Sequence, residues 1–250
     1  MTRPTSARIN THPEWGDRIP EAEWAVYREV IQQARALGVR FAFGGAFAIA
    51  AYTGELRNTK DFDFYLLPPD RDAMKDAMTR AGLEDYFDRL SYDRSWIYRA
   101  SRDDIIVDAI WAMANHRTDV DEQWLSRGPE ITIQGELLRA IPSEDLIWSK
   151  LYVLQRGRCD WGDVFNLVDA RAAAMDWEYL LERMGEDAPL LGGALSVFRW
   201  LAPDRAGDIP NAVWTRLGLC ASPENDDPEV SRTRANLLDS RPWFTRYLRG

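Results

Sequence analysis

The stretch Asp61-Phe62-Asp63-Phe64-Tyr65-Leu66-Leu67, closed by Pro68-Pro69, constrains the fold more than any other part of this chain. Carboxylate and aromatic residues alternate at its start, which is the period of a β-strand, and proline does not continue a strand interior. On a strand, Asp61 and Asp63 leave one face of the sheet while Phe62 and Phe64 leave the other, into a core. Two carboxylates side by side repel, so an unsupported pair is unfavourable. A hard divalent cation such as Mg²⁺, which prefers carboxylate oxygen, water and phosphate, removes that cost. Taken alone, an Asp-x-Asp pair is more often plain surface charge or part of a turn.

A third carboxylate sharpens the reading. Asp108 interrupts Ile105-Ile106-Val107-Asp108-Ala109-Ile110, where a half-buried strand prefers an apolar residue. A buried carboxylate needs a partner. An arginine would serve, and so would a shared metal if the Asp108 strand lies beside the Asp61 strand. Three convergent carboxylates are what two-metal phosphoryl or nucleotidyl transfer uses.

The surroundings predict a small mixed sheet with flanking helices, α/β (α+β) in class, followed by a helical domain. Glu21 to Leu37 has helical apolar spacing, Arg40 to Phe43 is a short strand, and Gly44-Gly45 makes a tight turn into a helix over Ala46 to Thr53 that Gly54 ends. A helix capped by Asp70 runs to about Ala81. Trp96 to Arg99 and Ile105 to Ile110 form one hairpin, and Ile131 to Ile133 with Leu137 to Ala140 form another. From Pro142 the pattern turns helical: Glu144 to about Gln155, Asp160 to Ala174, Asp176 to Met184 and Leu190 to Leu201. The boundary falls near residue 141, giving domains 1–141 and 142–250.

Bulk properties exclude some functions. A net charge of −9 argues against an extended nucleic-acid surface, which must neutralise many phosphates. The lysines are only Lys60, Lys75 and Lys150. Cys159 and Cys220 lie far apart without a C-x-x-C pair, which speaks against a zinc framework and fits a reducing cytoplasm. Met1 to Pro20 is polar, without a signal-peptide core, and the longest apolar run, Phe41 to Tyr52, is too short to span a bilayer. No membrane partner is expected.

Adjacent glycines between a strand and a helix permit close approach to a phosphate at a helix N-terminus, or simply form a tight turn. Here they precede Arg57-Asn58-Thr59-Lys60-Asp61-Phe62-Asp63. Together with the later Asp108, this order resembles the polymerase β-like nucleotidyltransferases, whose signature is strand, Gly-Gly, helix, Asp-x-Asp and a later Asp. Two branches are similar: the AbiEii-type toxin nucleotidyltransferases and the enzymes that modify lincosamides or aminoglycosides. The resemblance covers roughly residues 38 to 110 and, more loosely, 142 to 170. It implies transfer of a nucleoside monophosphate from an NTP to an acceptor hydroxyl or phosphate, with Mg²⁺, or alternatively Mn²⁺, as cofactor. Asp61 and Asp63 would hold the metals and Asp108 would be the third ligand. Gly44, Gly45, Arg57 and Thr59 would bind nucleotide, and the helical domain would close the cleft. The acceptor is a small molecule, a protein or tRNA, and the toxin branch implies an antitoxin partner. Relatives often carry Ser after the two glycines where this chain has Ala46. That difference keeps an alternative open: a catalytically inactive nucleotide-binding regulator or toxin–antitoxin component of the same fold.

Lys150 falls within an apolar helical stripe of Leu146, Ile147, Leu151 and Leu154 and needs a counter-charge. A triphosphate would provide it; so would Asp163, or the side chain could snorkel to solvent. The AbiEii-like pattern of Lys-Leu…Arg…Asp on this helix favours the phosphate role, while Asn166 replaces an acidic residue common in relatives. His12 and His116 lack ligand-spaced partners. The tryptophans read as core residues, with Trp96 or Trp148 as alternatives for stacking on a base. Arg94, Arg99 and Arg102 read as ordinary strand and turn charges near the mouth of the site or, alternatively, as contacts to acceptor or phosphate.

Overall fold

The computed structural model describes residues 13–57, 59, 61–220, 227–238 and 244. His12, Asn58 and Lys60 lie outside the described residues. The described residues form two compact units, one within residues 13–142 and one from Ser143 onward.

The first unit carries a five-stranded sheet. Helix α1 (Glu21–Ala36) buries Trp24, Val26, Tyr27, Val30, Ile31 and Ala34, the stripe its periodicity predicts. Strand β1 (Phe41–Phe43) leads into α2 (Gly45–Thr53), which Gly54 ends in the left-handed conformation with its N–H on the Ala50 carbonyl. Then follow β2 (Asp61–Leu66), α3 (Arg71–Arg80), β3 (Glu84–Asp85), β4 (Ile97–Arg102) and β5 (Ile105–Ile110). The strand order is β1-β2-β5-β4-β3; β2 and β5 run parallel, and the other neighbours run antiparallel. Joining two parallel neighbours requires a crossover, and α3, β3 and β4 supply it. Helix α4 (Glu122–Ser126) is absent from the sequence expectations. It is one short turn held by the Asp121 side chain, which accepts from the Gln123 and Trp124 amides. Strands β6 (Glu130–Ile133) and β7 (Glu136–Arg139) make the expected second hairpin.

The buried face of the central strand accounts for much of this unit's cohesion. Phe62 and Phe64 are fully buried, and Phe62 meets Tyr27 at 5.0 Å, Phe47 at 5.1 Å and Phe43 at 6.1 Å between ring centroids. Truncating so large a buried ring costs about 3–5 kcal/mol in general. The same alternation that buries these rings sends Asp61 and Asp63 to the opposite face.

The second unit is helical: α5 (Ser143–Leu151), α6 (Trp161–Arg171), α7 (Trp177–Met184), α8 (Ala188–Leu201), α9 (Pro203–Ala206), α10 (Asn211–Arg216) and α11 (Pro228–Leu238). Helix α5 stops four residues before the expected Gln155. The turn around Gly157 folds the chain back, with the Gln155 amide on the Arg158 carbonyl at 2.7 Å and Leu154 bridged to Cys159. Leu154 consequently leaves the inward stripe and is exposed. Among the described residues no helix is long and apolar enough to cross a membrane.

Candidate active site

Parallel pairing of β2 with β5 puts Asp63 directly opposite Asp108. Asp61, two residues before Asp63, emerges on the same face. The three offer carboxylate oxygens that all lie within 4.8 Å of one another, with Asp61 and Asp63 half-buried and Asp108 buried. Such closeness of like charges is costly without a cation. The donor set is all carboxylate oxygen, which suits Mg²⁺ or Mn²⁺ rather than a soft metal.

Each carboxylate is held by a different device. Asp61 accepts a short hydrogen bond from the Thr59 hydroxyl. Asp63 lies against the first turn of α2: a Cβ on Gly45 would stand 1.7 Å from its Oδ2. That helix end has no side-chain cap, and its partial positive charge favours an anion there. Asp108 is gripped by Arg99 on β4, its cross-strand partner, with Nε on Oδ1 at 2.7 Å and a terminal nitrogen on Oδ2. Burial pushes the Asp108 carboxyl above its ordinary range; Arg99 opposes this rise and Asp61 adds to it. The bonds to Asp108 in turn raise the Arg99 guanidinium, and burial raises the Tyr27 phenol with help from Glu23, Asp61 and Asp63.

The two glycines have a local reason to be glycine. Gly45 adopts φ +54, and at Gly44 a Cβ would come within 2.1 Å of the Tyr65 ring. The side chains of β2 therefore lie directly over the turn, and a side chain at either position would displace one of them. Arg57 and Thr59 line a cavity of about 220 Å³, shared with Arg18, Glu23, Phe47 and Leu56. Ala46, next on α2, is buried and supplies no hydroxyl.

The other singled-out residues have partners of their own. Lys150, in the helical unit, is buried and bonded to Asp160 at 2.8 Å and Asp163 at 2.7 Å. Arg94 pairs with Asp85, and Arg102 pairs with Glu29, so of the three arginines Arg99 is the one the structure brings to the triad. In the sequence Arg99 reads as a strand charge or a contact to acceptor or phosphate, not as the partner of Asp108. The signal was available: a hairpin turning at Asp103-Asp104 pairs Arg102 with Ile105 and hence Arg99 with Asp108. Asn166 bonds the Gly162 carbonyl, Trp148 is buried under the Arg183 guanidinium, and His116 faces Asp93 at 3.5 Å.

A family model described as an uncharacterised nucleotidyltransferase matches residues 28–187. No curated protein matches. Several solved structures are similar at low identity. The antibiotic-resistance factor ANT(2″)-Ia is 18% identical with a TM-score of 0.43, over 71% of this chain and 91% of that one. The lincomycin-bound lincosamide antibiotic adenylyltransferase LnuA is 14% identical with a TM-score of 0.44, over 61% and 99%. An antigenic nucleotidyltransferase-like protein from Paracoccidioides brasiliensis is 16% identical with a TM-score of 0.42, over 70% and 92%.

Proposed function

The chain belongs to this nucleotidyltransferase family, and from that premise we propose that it transfers a nucleoside monophosphate from an NTP to an acceptor hydroxyl or phosphate, with Mg²⁺ or Mn²⁺. The observation that carries the proposal is the convergence of Asp61, Asp63 and Asp108 from two parallel neighbouring strands. Asp61 and Asp63 would hold the metals, and Asp108 would be the third ligand. A bound divalent cation supplies Lewis-acid charge to the phosphates, stabilising negative charge as the acceptor oxygen bonds to the α-phosphorus and pyrophosphate leaves.

The chain's own groups divide the remaining work. Thr59 holds Asp61 in one orientation by its hydrogen bond. The backbone at Gly44 and Gly45, where α2 begins, would cradle the triphosphate, because a helix N-terminus favours phosphate. Arg57 and Thr59 bind nucleotide beside it, and Lys150 binds phosphate. Asp108, the third ligand, would also help deprotonate the acceptor hydroxyl.

The favoured acceptor is a small molecule or protein rather than RNA, with an antitoxin as the partner if the chain follows the toxin branch. An RNA-directed site needs a track of basic side chains. Here Arg94, Arg99 and Arg102 each bind an acidic neighbour, and the chain carries a net charge of −9. The exposed free thiols of Cys159 and Cys220 suit work in a reducing cytoplasm. Ala46 supports the second reading, a nucleotide-binding regulator without turnover.

Thermal unfolding with each of the four NTPs, with and without Mg²⁺, tests the binding half. Ligand near a hundredfold over Kd stabilises by about 2.7 kcal/mol. No shift with any NTP overturns the nucleotide reading. Labelled NTP with three acceptor pools (cellular RNA, cellular protein and a panel of aminoglycosides and lincosamides) tests the other half. Label on RNA, lost steeply with salt, overturns the acceptor preference. Label on none of them, despite NTP binding, favours the regulator.

A further inference from the structure

Resting on the reading of the triad as a divalent-cation site, we propose that Arg99 is a positioning residue that sets the affinity of this site for its cation. Its guanidinium occupies Asp108 as a resident counter-charge and competes electrostatically with an arriving metal.

The argument begins with burial. The Asp108 side chain is 2% exposed, so water cannot support its charge, and a cation beside it must. Arg99 meets that need with a two-toothed grip, one nitrogen to each carboxylate oxygen. Asp61 and Asp63 also stabilise the guanidinium, so Arg99 serves the cluster as well as its direct partner. A carboxylate has about four lone-pair positions, and the fork takes one on each oxygen. Asp108 can therefore be shared between Arg99 and a metal, but the two cations then repel across one carboxylate.

The attachment of Arg99 is asymmetric. Its backbone is pinned on both sides by Tyr92, whose hydroxyl accepts from the Arg99 amide at 2.9 Å and donates to the Arg99 carbonyl at 3.2 Å. Tyr92 also faces Asp85 at 3.3 Å. The side chain as a whole is 28% exposed, and its guanidinium carbon lies 6.0 Å from the Tyr86 ring centroid, a second seat for a cation displaced from Asp108. A fixed strand position, with a second cation seat on Tyr86 within reach of the guanidinium, is what a counter-charge that yields to metal requires.

The test is Mn²⁺ binding without nucleotide, followed by electron paramagnetic resonance of the free ion, in wild type, Arg99→Gln and Arg99→Lys. Removing one positive charge next to a divalent ion should tighten binding by on the order of tenfold in Arg99→Gln. Arg99→Lys, which keeps the charge and loses the fork, should stay close to wild type. Arg99→Gln should also lose thermal stability without metal and regain it with Mn²⁺. In the wild type, Mg²⁺ titration should move the Arg99 Nε–H resonance, a readout that survives if Arg99→Gln fails to fold. Binding no tighter in Arg99→Gln, equal tightening in Arg99→Lys, or an unmoved Arg99 resonance while wild type binds the ion would each overturn the proposal. Wild type that binds no Mn²⁺ or Mg²⁺ removes the metal reading itself, a failure distinct from the others.

Discussion

On the sheet, Asp61, Asp63 and Asp108 bring three carboxylates within reach of one another; in the helical unit, Lys150 draws Asp160 and Asp163 onto a single ammonium. The first cluster gathers like charges, and the second matches opposite ones. Asp160 is also held by Arg158 at 3.0 Å, and its carboxyl is depressed to about 2; burial works against this, and Arg158 and Lys150 overcome it. The helical cluster is therefore satisfied by groups within its own unit. The sheet cluster, by contrast, holds a buried carboxylate whose proton affinity is raised even with Arg99 beside it. A stable arrangement of opposite charges can be purely structural. Three carboxylates pressed together by strand register carry more negative charge than the one Arg99 guanidinium balances, and a divalent cation would offset the rest.

The comparison can be broken at Gly45, where the largest combined effect is expected. Gly45→Ala puts a Cβ onto the Asp63 carboxylate in a backbone conformation of φ +54. The expected outcome is loss of transfer activity together with about 3 kcal/mol of stability. Gly38→Ala is the control: φ is +74 but nothing lies within 4 Å of its Cβ, so only about 1–2 kcal/mol should be lost and activity kept. Chemical denaturation and turnover of both variants check this. Equal losses would show that Gly45 serves backbone conformation alone.

Lys150→Ala attacks the other cluster. Removing one partner of a buried ion pair leaves uncompensated carboxylates and costs about 3 kcal/mol. If Lys150 also binds phosphate, NTP affinity measured on folded protein falls as well. Unchanged affinity assigns Lys150 to the ion pairs alone.

The smallest effect is in acid. The Asp160 carboxyl is depressed in the folded state, so its contribution to stability is full above the ordinary carboxylate range. It fades as pH falls below that range and is lost through about 2. Asp160→Asn should flatten the stability profile between roughly pH 4 and pH 2. An unchanged acid limb would remove Asp160 from the account.

Much of the sheet site was legible because one strand encodes two faces. The alternation of Asp61-Phe62-Asp63-Phe64 announced both the buried rings and the outward carboxylates, and Asp108 stood out inside an apolar run. Which arginine partners Asp108 is less legible, because it depends on hairpin register, which a one-residue change of turn would alter. The sequence could not show the second reason for the glycines, that an added Cβ would meet Tyr65 and Asp63 on a strand about twenty residues downstream. Helix α4 is too short to show a period, and its Asp121 cap is a local signal easily taken for a loop aspartate. Helix α5 ends early because a four-residue turn competes with an apolar stripe that could have continued.

The most direct measurement is release of pyrophosphate from NTP with Mg²⁺ by wild type and by Asp63→Asn, each checked for its melting temperature. The account predicts turnover in the wild type and none in Asp63→Asn, whose apo stability is unchanged or higher because one repelling carboxylate has gone. An Asp63→Asn protein that retains wild-type turnover per folded molecule, or that loses activity only by unfolding, would contradict it.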